Sequence, residues 1–347
     1  MAITLSKAPM KAKKSWPLLL AIAWMSASTL IAISPIPPNS LNAHPEKAFL
    51  YPFQNSLNWL GTDQLGRDLL WYLFASAKTA WMLTFPPLIG ATVIGLLIGS
   101  LSAYFAKKPL RIRITSLLLL IVTSIFIITL IYIQINWIVT SPLGPTSFWL
   151  MAASMLLILF SVYQLIRKYH TKQDSRNSLD IPVDDFLQRI MDLWTTFPKL
   201  LLLLLLSALA APSLWSMGFW ILVTYWVLPA RLSRAQILQI SNEPFFEAGR
   251  ALGLPKSRLL LQYLWPSMKR PLITNFCFNA SGLLGIGSTL AFIGIGLPAD
   301  VPSWGKMFAL SRYSLESWWL LLFPAILLIG SILSLQTLGA NYSKTKV

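Results

Sequence analysis

The chain has 347 residues, of which 55% are hydrophobic and only 12% are charged, and its mean hydropathy is +0.63. Soluble domains carry about 25% charged residues, so this composition excludes an ordinary soluble protein and predicts a polytopic membrane protein. The net charge of +16 indicates either nucleic-acid binding or basic loops that face anionic lipid. The single cysteine, Cys277, excludes an internal disulfide, and His44 and His170 are too far apart in sequence to predict a metal site.

The first 82 residues predict one span followed by external structure. Residues 1–15 carry four lysines and no acid, and the apolar run 16–36 after them predicts an uncleaved span with its N-terminus in the cytoplasm. Prolines then mark an irregular external segment. The aromatic-rich stretch 69–82 predicts an interfacial helix that completes this region.

The external segment ends in L-G-T-D-Q-L-G-R-D, residues 60–68. It superficially fits a phosphate loop, but Arg67 and Asp68 stand where Lys and Ser or Thr are needed, which excludes nucleotide binding here. The residues themselves predict a turn capped by Asp63, with Arg67 and Asp68 pairing near the lipid headgroups. The stretch also resembles the signature of the C-type permease subunits of dipeptide, oligopeptide and nickel importers, through Leu60, Gly61, Thr62, Asp63, Gly66, Arg67 and Asp68.

The next part of the chain predicts a first core span and an insertion. Residues 83–108 form the span, and its Gly95 and Gly99 have the spacing that lets another helix approach closely. Two further apolar runs predict an inserted two-helix hairpin at 109–180, which the C-type subunits usually lack. We interpret this hairpin as a lipid-facing decoration, with a partner-binding element as the alternative.

Residues 181–341 resemble the permease core of that family. Its first span must include residues before Pro198, because the uncharged run 200–211 makes only about 18 Å of helix against a hydrocarbon core of about 30 Å. Lys199 then falls inside the membrane, where a charge costs about 3 kcal/mol. It should therefore either snorkel or face a wet cavity on the substrate path. Further spans are predicted at 214–230, 271–297 and 318–340, followed by a cytoplasmic tail at 342–347.

The polar stretch 242–268 lies between two apolar runs. Pro244 suits a first helical turn and Gly253 a left-handed helix end, so the stretch predicts a short helix, a tight turn and a second helix that Pro266 ends or bends. It resembles the cytoplasmic coupling loop of ABC importer permeases, whose pattern is E-A-A-x3-G-x9-I-x-L-P. Glu247, Ala248, Gly253 and Pro266 match this pattern, whereas Gly249, Tyr263 and Trp265 replace its second Ala, Ile and Leu.

In that family the short helix docks into a groove on the ATPase subunit. The alternative is an ordinary surface helix hairpin between two spans. The resemblance assigns ATPase coupling to Glu243, Phe246, Glu247, Ala248, Gly249, Arg250, Ala251, Gly253 and Pro266.

The distribution of basic residues predicts the orientation of the chain. Of the 28 Lys and Arg residues, 22 fall in five groups, at 1–15, 107–113, 167–190, 231–270 and 344–346. By the positive-inside rule these groups, and both termini with them, are cytoplasmic. The resemblance implies that the membrane is a bacterial inner membrane. This distribution also explains the net charge without nucleic acid, because no aromatic and basic stretch offers a surface for stacking bases.

The resemblance covers about 16–107 and 181–340. It implies an all-α polytopic membrane protein with the type I ABC importer permease fold, made of about eight transmembrane helices including the inserted hairpin. It also implies that the chain is not an enzyme and binds no cofactor, because ATP and Mg²⁺ are held by two separate ATPase subunits. The other implied partners are a homologous second permease, an external solute-binding protein and the lipid bilayer.

Short peptides are the cargo that the resemblance favours. Nickel chelates are the alternative, because the signature is shared between these importers. Two functions of another class stay open. An ion-gradient-driven secondary transporter would need intramembrane acids, which the long uncharged runs lack. A non-transporting membrane scaffold or receptor would use the cytoplasmic loop only to hold a partner.

Overall fold

The structure is a computed structural model that describes residues 16–37, 40–54, 58–107, 110–113, 178–209, 211–314 and 316–344. Its helices are α1 (Trp16–Ile33), α2 (Leu69–Lys107), α3 (Val183–Thr196), α4 (Lys199–Ala208), α5 (Leu214–Tyr225), α6 (Val227–Ile240), α7 (Pro244–Ala251), α8 (Lys256–Leu259), α9 (Trp265–Ile293), α10 (Trp304–Leu310) and α11 (Trp319–Lys344). The other described elements are two short strands, β1 (Leu110–Arg113) and β2 (Ser178–Ile181), two 3₁₀ turns, Pro45–Lys47 and Ser311–Tyr313, and a π-helical turn, Leu260–Leu264.

Four of the described helices are long and apolar enough to cross a membrane: α1, α2, α9 with the turn before it, and α11. Their number makes this a multi-pass membrane protein. The pair α3 and α4 passes the same test together but is bent by 87°. The break lies at Phe197 and Pro198, where the proline takes an extended conformation and its ring keeps the preceding residue out of the helix. The span predicted to include residues before Pro198 is therefore not one straight helix.

Helix α2 is one unbroken helix of 39 residues, so the predicted boundary between an interfacial helix, 69–82, and a separate span is wrong. It continues through Pro86 and Pro87, although each proline removes one backbone hydrogen bond. In lipid the remaining backbone groups have no water to bind, which favours a continued helix over a loop. At a rise of 1.5 Å per residue the helix is about 58 Å long, roughly twice the hydrocarbon core.

The predicted span 214–230 is divided between α5 and α6 at Trp226. Three residues later Pro229 has no N–H to donate to the carbonyl of Tyr225, so the helix loses its bond at this turn. Helix α6 then carries Arg231 and Arg234 away from the apolar part of α5.

Helices α2 and α6 approach closely at two glycines. A Cβ atom on Gly95 would collide with the carbonyl oxygen of Trp226, and one on Gly99 would collide with the carbonyl of Ala230. The hydroxyl of Ser233 donates to the carbonyls of Ala230 and Gly95, at 3.0 and 3.5 Å. The close approach predicted from the glycine spacing is confirmed, because a side chain at either position would push the helices apart.

The main apolar core joins α2, α5, α9, α10 and α11. Its most completely buried side chains include Leu88, Ile221, Leu290 and Trp319. Helix α1 packs on α11, where Trp24 donates from Nε1 to Ser331 Oγ at 3.3 Å. This core fixes the position of the loop before α2.

Strands β1 and β2 pair antiparallel, with Leu110 opposite Ile181 and Arg113 opposite Ser178. The contacts between Cα atoms divide the chain into two compact units, 104–187 and the remaining residues. The strands therefore bring the two ends of the predicted insertion together, a feature absent from the prediction. The two helices of the predicted hairpin, 109–180, lie outside the described residues.

Candidate functional site

Helix α7 occupies the stretch predicted to form a short helix. It begins at Pro244, and the carbonyl of Glu243 accepts hydrogen bonds from the N–H groups of Phe246 and Glu247, at 3.0 and 3.3 Å. It ends before Gly253, which has a φ of +74°. The predicted helix and its left-handed end are confirmed.

The helix after the turn does not end at Pro266. Helix α8 passes into a π-helical turn, Leu260–Leu264, and then directly into α9, which has Pro266 in its first turn. A π-helical turn shifts the hydrogen-bond register by one residue, and a proline in the first helical turn needs no hydrogen-bond donor. Pro266 therefore does not end the helix, and the loop connects without a break to a membrane span. That Pro266 bends the helix stays a prediction.

One side of α7 is packed. Phe246 lies against a small cluster of buried apolar side chains from α6, the π-helical turn and α9: Ile240, Leu264, Met268 and Leu272. Gly249 is buried, and a Cβ atom there would lie 3.0 Å from Cδ2 of Leu259. Phe245 stacks near Tyr263, with 5.5 Å between ring centroids. This packing holds α7 to the helices on either side of it.

The other side of α7 is exposed. Glu247, Ala248 and Ala251 are exposed, and Leu252 just after the helix is 82% exposed. Arg250 lies within the same helix. An apolar and acidic face at the end of the spans fits a docking surface for another protein better than a surface turned to water.

The signature loop folds around the carboxylate of Asp63. Its Oδ1 accepts hydrogen bonds from the N–H groups of Leu65 and Arg67, both at 2.9 Å, and its Oδ2 accepts one from Arg67 Nε at 2.7 Å. Asp63 is only 2% exposed, and these donors replace the hydration that it loses. The predicted turn capped by Asp63 is confirmed.

Asp68 caps α2 rather than pairing with Arg67. Its Oδ1 accepts from the N–H of Leu70 at 2.8 Å, and its Oδ2 accepts from Asn58 Nδ2 at 3.1 Å. Burial raises the pKa of this carboxyl, and the hydrogen bonds from backbone and Asn58 partly oppose the shift. Arg67 instead pairs with Asp63 and lies 4.6 Å from the centre of the Tyr72 ring. The predicted pairing of Arg67 with Asp68 is wrong.

The threonine of the signature makes hydrogen bonds within the loop, and its two glycines allow tight turns and close backbone contacts. Thr62 is fully buried, and its hydroxyl donates to the carbonyl of Lys47 at 2.5 Å and accepts from the N–H of Leu50 at 2.9 Å. Gly61 and Gly66 both have positive φ, at +83° and +71°. Their backbones lie so close to neighbouring carbonyls that a Cβ atom would collide. The loop is a rigid cap on the N-terminus of α2.

Lys199 points into the protein. Its ammonium donates to Asn279 Oδ1 at 2.8 Å and lies 4.5 Å from the centre of the Tyr225 ring. Asn279 in turn donates from Nδ2 to Asn275 Oδ1 at 2.9 Å. The sequence left open whether Lys199 snorkels or faces a wet cavity on the substrate path. The contact with Asn279 directs the ammonium toward α9, and the wet cavity stays a prediction. The two asparagines were missed, although amides four residues apart in an uncharged run are the signal of a polar helix contact.

Lys306 is a second cation that the sequence analysis did not single out. Its ammonium donates to the carbonyls of Pro298, Ala299 and Val301 and so ties the loop between α9 and α10. Burial lowers the pKa of this ammonium, while the Asp300 carboxylate raises it. A lysine held by backbone carbonyls has no local sequence signal.

Comparison with known proteins identifies the core of the chain. Residues 177–345 match the family model described as "Binding-protein-dependent transport system inner membrane component". The matched part, just under half of the chain, is therefore similar to this family. The match takes in α3 to α11 and the whole coupling stretch. The fold is therefore that of a type I ABC importer permease, and the predicted all-α polytopic class is confirmed, with β1 and β2 as a small addition.

Individual permeases of this family match about half of the chain. A Brucella suis biovar 1 protein assigned to a peptide transport system as a permease is 32% identical over 157 residues, which cover 45% of this chain and 53% of the relative. The dipeptide transport system permease protein DppC of Bacillus subtilis is 30% identical over 159 residues, 45% of this chain and 50% of its own. The chain spans about half the length of the curated relatives it matches.

Proposed function

We propose that this chain is one permease subunit of an ATP-driven importer of di- and oligopeptides. It works in a bacterial inner membrane, with both termini in the cytoplasm, beside a homologous second permease, two ATPase subunits and an external solute-binding protein. ATP and Mg²⁺ bind to the ATPase subunits, so this chain carries no cofactor and performs no catalysis.

The observation that carries the proposal is the exposed face of α7. Leu252 is 82% exposed, and Glu247 is exposed as well. Burial of the Leu252 side chain by a partner would contribute about 1.5–3 kcal/mol to the free energy of binding. The matching positions of the family pattern are those that dock on the ATPase. The basic residues Arg258, Lys269 and Arg270, close to α7 in sequence, favour a cytoplasmic position for this surface.

The packed side of α7 supplies the mechanical link. Through Phe246 and its apolar cluster the helix is held to both α6 and α9. Helix α8, the π-helical turn and α9 follow without a break, so a displacement of α7 is passed to a span of the core. ATP-driven closure of the two ATPases would thus move the spans between inward-open and outward-open arrangements as rigid bodies.

Peptides are favoured over nickel chelates as cargo by the names of the relatives. One Bacillus subtilis relative is a dipeptide transport permease, and another, OppC, 29% identical over 143 residues that cover 41% of this chain and 47% of its own length, is an oligopeptide transport permease. We extend this cargo class to the present chain.

The test is to replace Glu247 with Arg in the assembled transporter and to measure copurified ATPase subunits and ATP-dependent peptide uptake. We expect both to fall by at least about tenfold, because the charge on the docking face is reversed. Glu316→Arg is the matched control, since Glu316 is also exposed but lies between α10 and α11. It should leave both measurements unchanged.

Three outcomes contradict the proposal. Normal coupling with Glu247→Arg removes the docking role of α7. Peptide uptake that continues with inactive ATPases favours a secondary transporter driven by an ion gradient. Stable folding with neither an ATPase partner nor uptake favours a membrane scaffold.

A further inference from the structure

The Lys199 ammonium is a positive charge beside a candidate membrane span, and it has no counter-ion among the described residues. Within the part of the chain that the structure describes, its contacts are the Asn279 amide and the Tyr225 ring, and no carboxylate lies against it. Two ion pairs in the structure use other groups, Asp63 with Arg67 and Asp192 with Arg231. An ammonium away from bulk water normally has an anionic partner, because desolvation of an unpaired charge is costly.

The backbone adds positive potential at the same place. Lys199 is the first residue of α4, directly after the break at Pro198. The first N–H groups of a helix have no intrahelical acceptor, and together they act as a partial positive charge. A lysine is therefore unfavourable at this helix end unless an anion binds there, and helix N-termini at broken spans bind anionic groups in other transporters.

A second donor, linked to Lys199 through the Asn279 amide, is also unused. Asn275 is only 8% exposed, and its Nδ2 has no hydrogen-bond partner among the described residues. Its Oδ1 accepts from Asn279, which in turn accepts from Lys199, so the three side chains form one hydrogen-bonded chain. Buried amide N–H groups are nearly always paired, so Asn275 marks a place where an acceptor is missing.

The cluster lies at a candidate membrane span. Asn279 is close to the centre of the 32-residue span Gln262–Ile293. Lys199 nevertheless remains accessible at the surface of the chain. A solute in transit can therefore reach this charge, whereas a cation at this depth would be repelled by it.

We propose that Lys199, the N-terminal turn of α4 and Asn275 bind the C-terminal carboxylate of the peptide in transit. The inference rests on the proposed peptide import. The ammonium and the amide supply donors, a carboxylate supplies only acceptors, and the negative charge provides the counter-ion that Lys199 lacks. The α-carboxylate is the one anionic group that all unmodified peptides share, so this site recognises peptides independently of their side chains.

The test compares alanyl-phenylalanine with its C-terminal amide as labelled cargo. Both are supplied to cells that express the complete transporter, at concentrations that saturate uptake, so that affinity of the external binding protein does not set the rate. Lys199→Met should lower the maximal uptake of the free acid by about tenfold relative to that of the amide, because one charged contact is lost. Lys199→Arg should keep most of the preference for the acid.

A second variant covers the case in which Lys199→Met fails to fold. Asn275→Asp is close to isosteric, keeps an oxygen that accepts from Asn279, and replaces the unused donor with negative charge. It should also reduce uptake of the free acid while sparing the amide. Lys78→Met on α2, another exposed lysine, is the control and should change neither rate.

The outcomes separate this inference from the function on which it rests. Equal loss of acid and amide uptake in both cluster variants would show that the cluster is only structural and would overturn the inference alone. Unchanged uptake of both cargoes would do the same. Failure of the unmodified transporter to import either peptide would overturn the proposed function, and the carboxylate site with it.

Discussion

Trp319 donates a hydrogen bond from Nε1 to the backbone carbonyl of Thr62 at 3.1 Å, across 257 positions of the sequence. This contact ties the N-terminus of α11 to the loop that caps α2. Trp319 is 1% exposed and Thr62 is fully buried, so neither group can turn to water if the bond is lost. The signature loop is thus held by a hydrogen bond from α11 as well as by its own Asp63.

Replacement of Trp319 with Phe should destabilise the protein by about 1–3 kcal/mol, because the Thr62 carbonyl would remain buried without its donor. Thermal unfolding in detergent measures this as a lower Tm. Trp318→Phe is the control, since Trp318 is the adjacent residue and is 51% exposed. Equal effects of the two changes would show that the bond across the sequence contributes little.

Replacement of Gly99 with Ala should destabilise the contact between α2 and α6 by about 1–3 kcal/mol, because the new methyl group meets the Ala230 carbonyl as well as the Ser233 hydroxyl, and the backbone carbonyl cannot turn aside. Gly282→Ala is the control. Gly282 is also helical but has nothing within 4 Å of its Cβ position, so this change should be neutral or stabilise by up to about 1 kcal/mol. Unfolding in detergent distinguishes the two. A tolerated Gly99→Ala would mean that the helices separate easily.

Replacement of Gly249 with Ala restores the residue that the coupling pattern carries. The added Cβ atom would lie 3.0 Å from Cδ2 of Leu259, the end of a flexible side chain that can shift by a few tenths of an ångström. Helix propensity favours alanine by about 1 kcal/mol. We therefore expect unchanged ATP-dependent uptake and equal or higher stability. A loss of uptake with normal folding would show that close packing of α7 on α8 is itself needed for coupling.

Features set by neighbouring residues were predicted well from the sequence. The ends of α7, the left-handed Gly253 and the contact of Gly95 and Gly99 with another helix depend on residues within one or two turns. The C-terminal spans also agree, since α9 and α11 overlap nearly all of the predicted runs 271–297 and 318–340. Hydropathy alone locates such helices, because lipid requires every backbone group to pair within its own helix.

Features set by distant residues were not predicted. Arg67 is next to Asp68 in sequence, yet it pairs with Asp63, because the turn directs Asp68 to the N-terminus of α2. The partner of Lys199 lies 80 positions away, and a hydropathy profile does not indicate which helix faces it. The 87° bend at Pro198 was missed because the length rule assumes a straight span.

The raised pKa of the Asp68 carboxyl predicts how the stability of the protein changes with pH. Burial raises its pKa above 3.8, so the folded protein binds this proton more tightly than the unfolded chain does. Stability from this group is therefore greatest at a pH below 3.8 and falls as pH rises through the raised pKa of the folded state. Asn58 and the backbone donors at the start of α2 limit the fall by stabilising the charged form.

The matched variant is Asp68→Asn, which keeps an oxygen for the cap but cannot titrate. As pH is lowered from about 7 to about 4, the Tm of the unmodified protein should rise relative to that of the variant. A difference that stays constant, or that moves in favour of the variant at acid pH, would show that the cap stabilises the carboxylate more than burial penalises it.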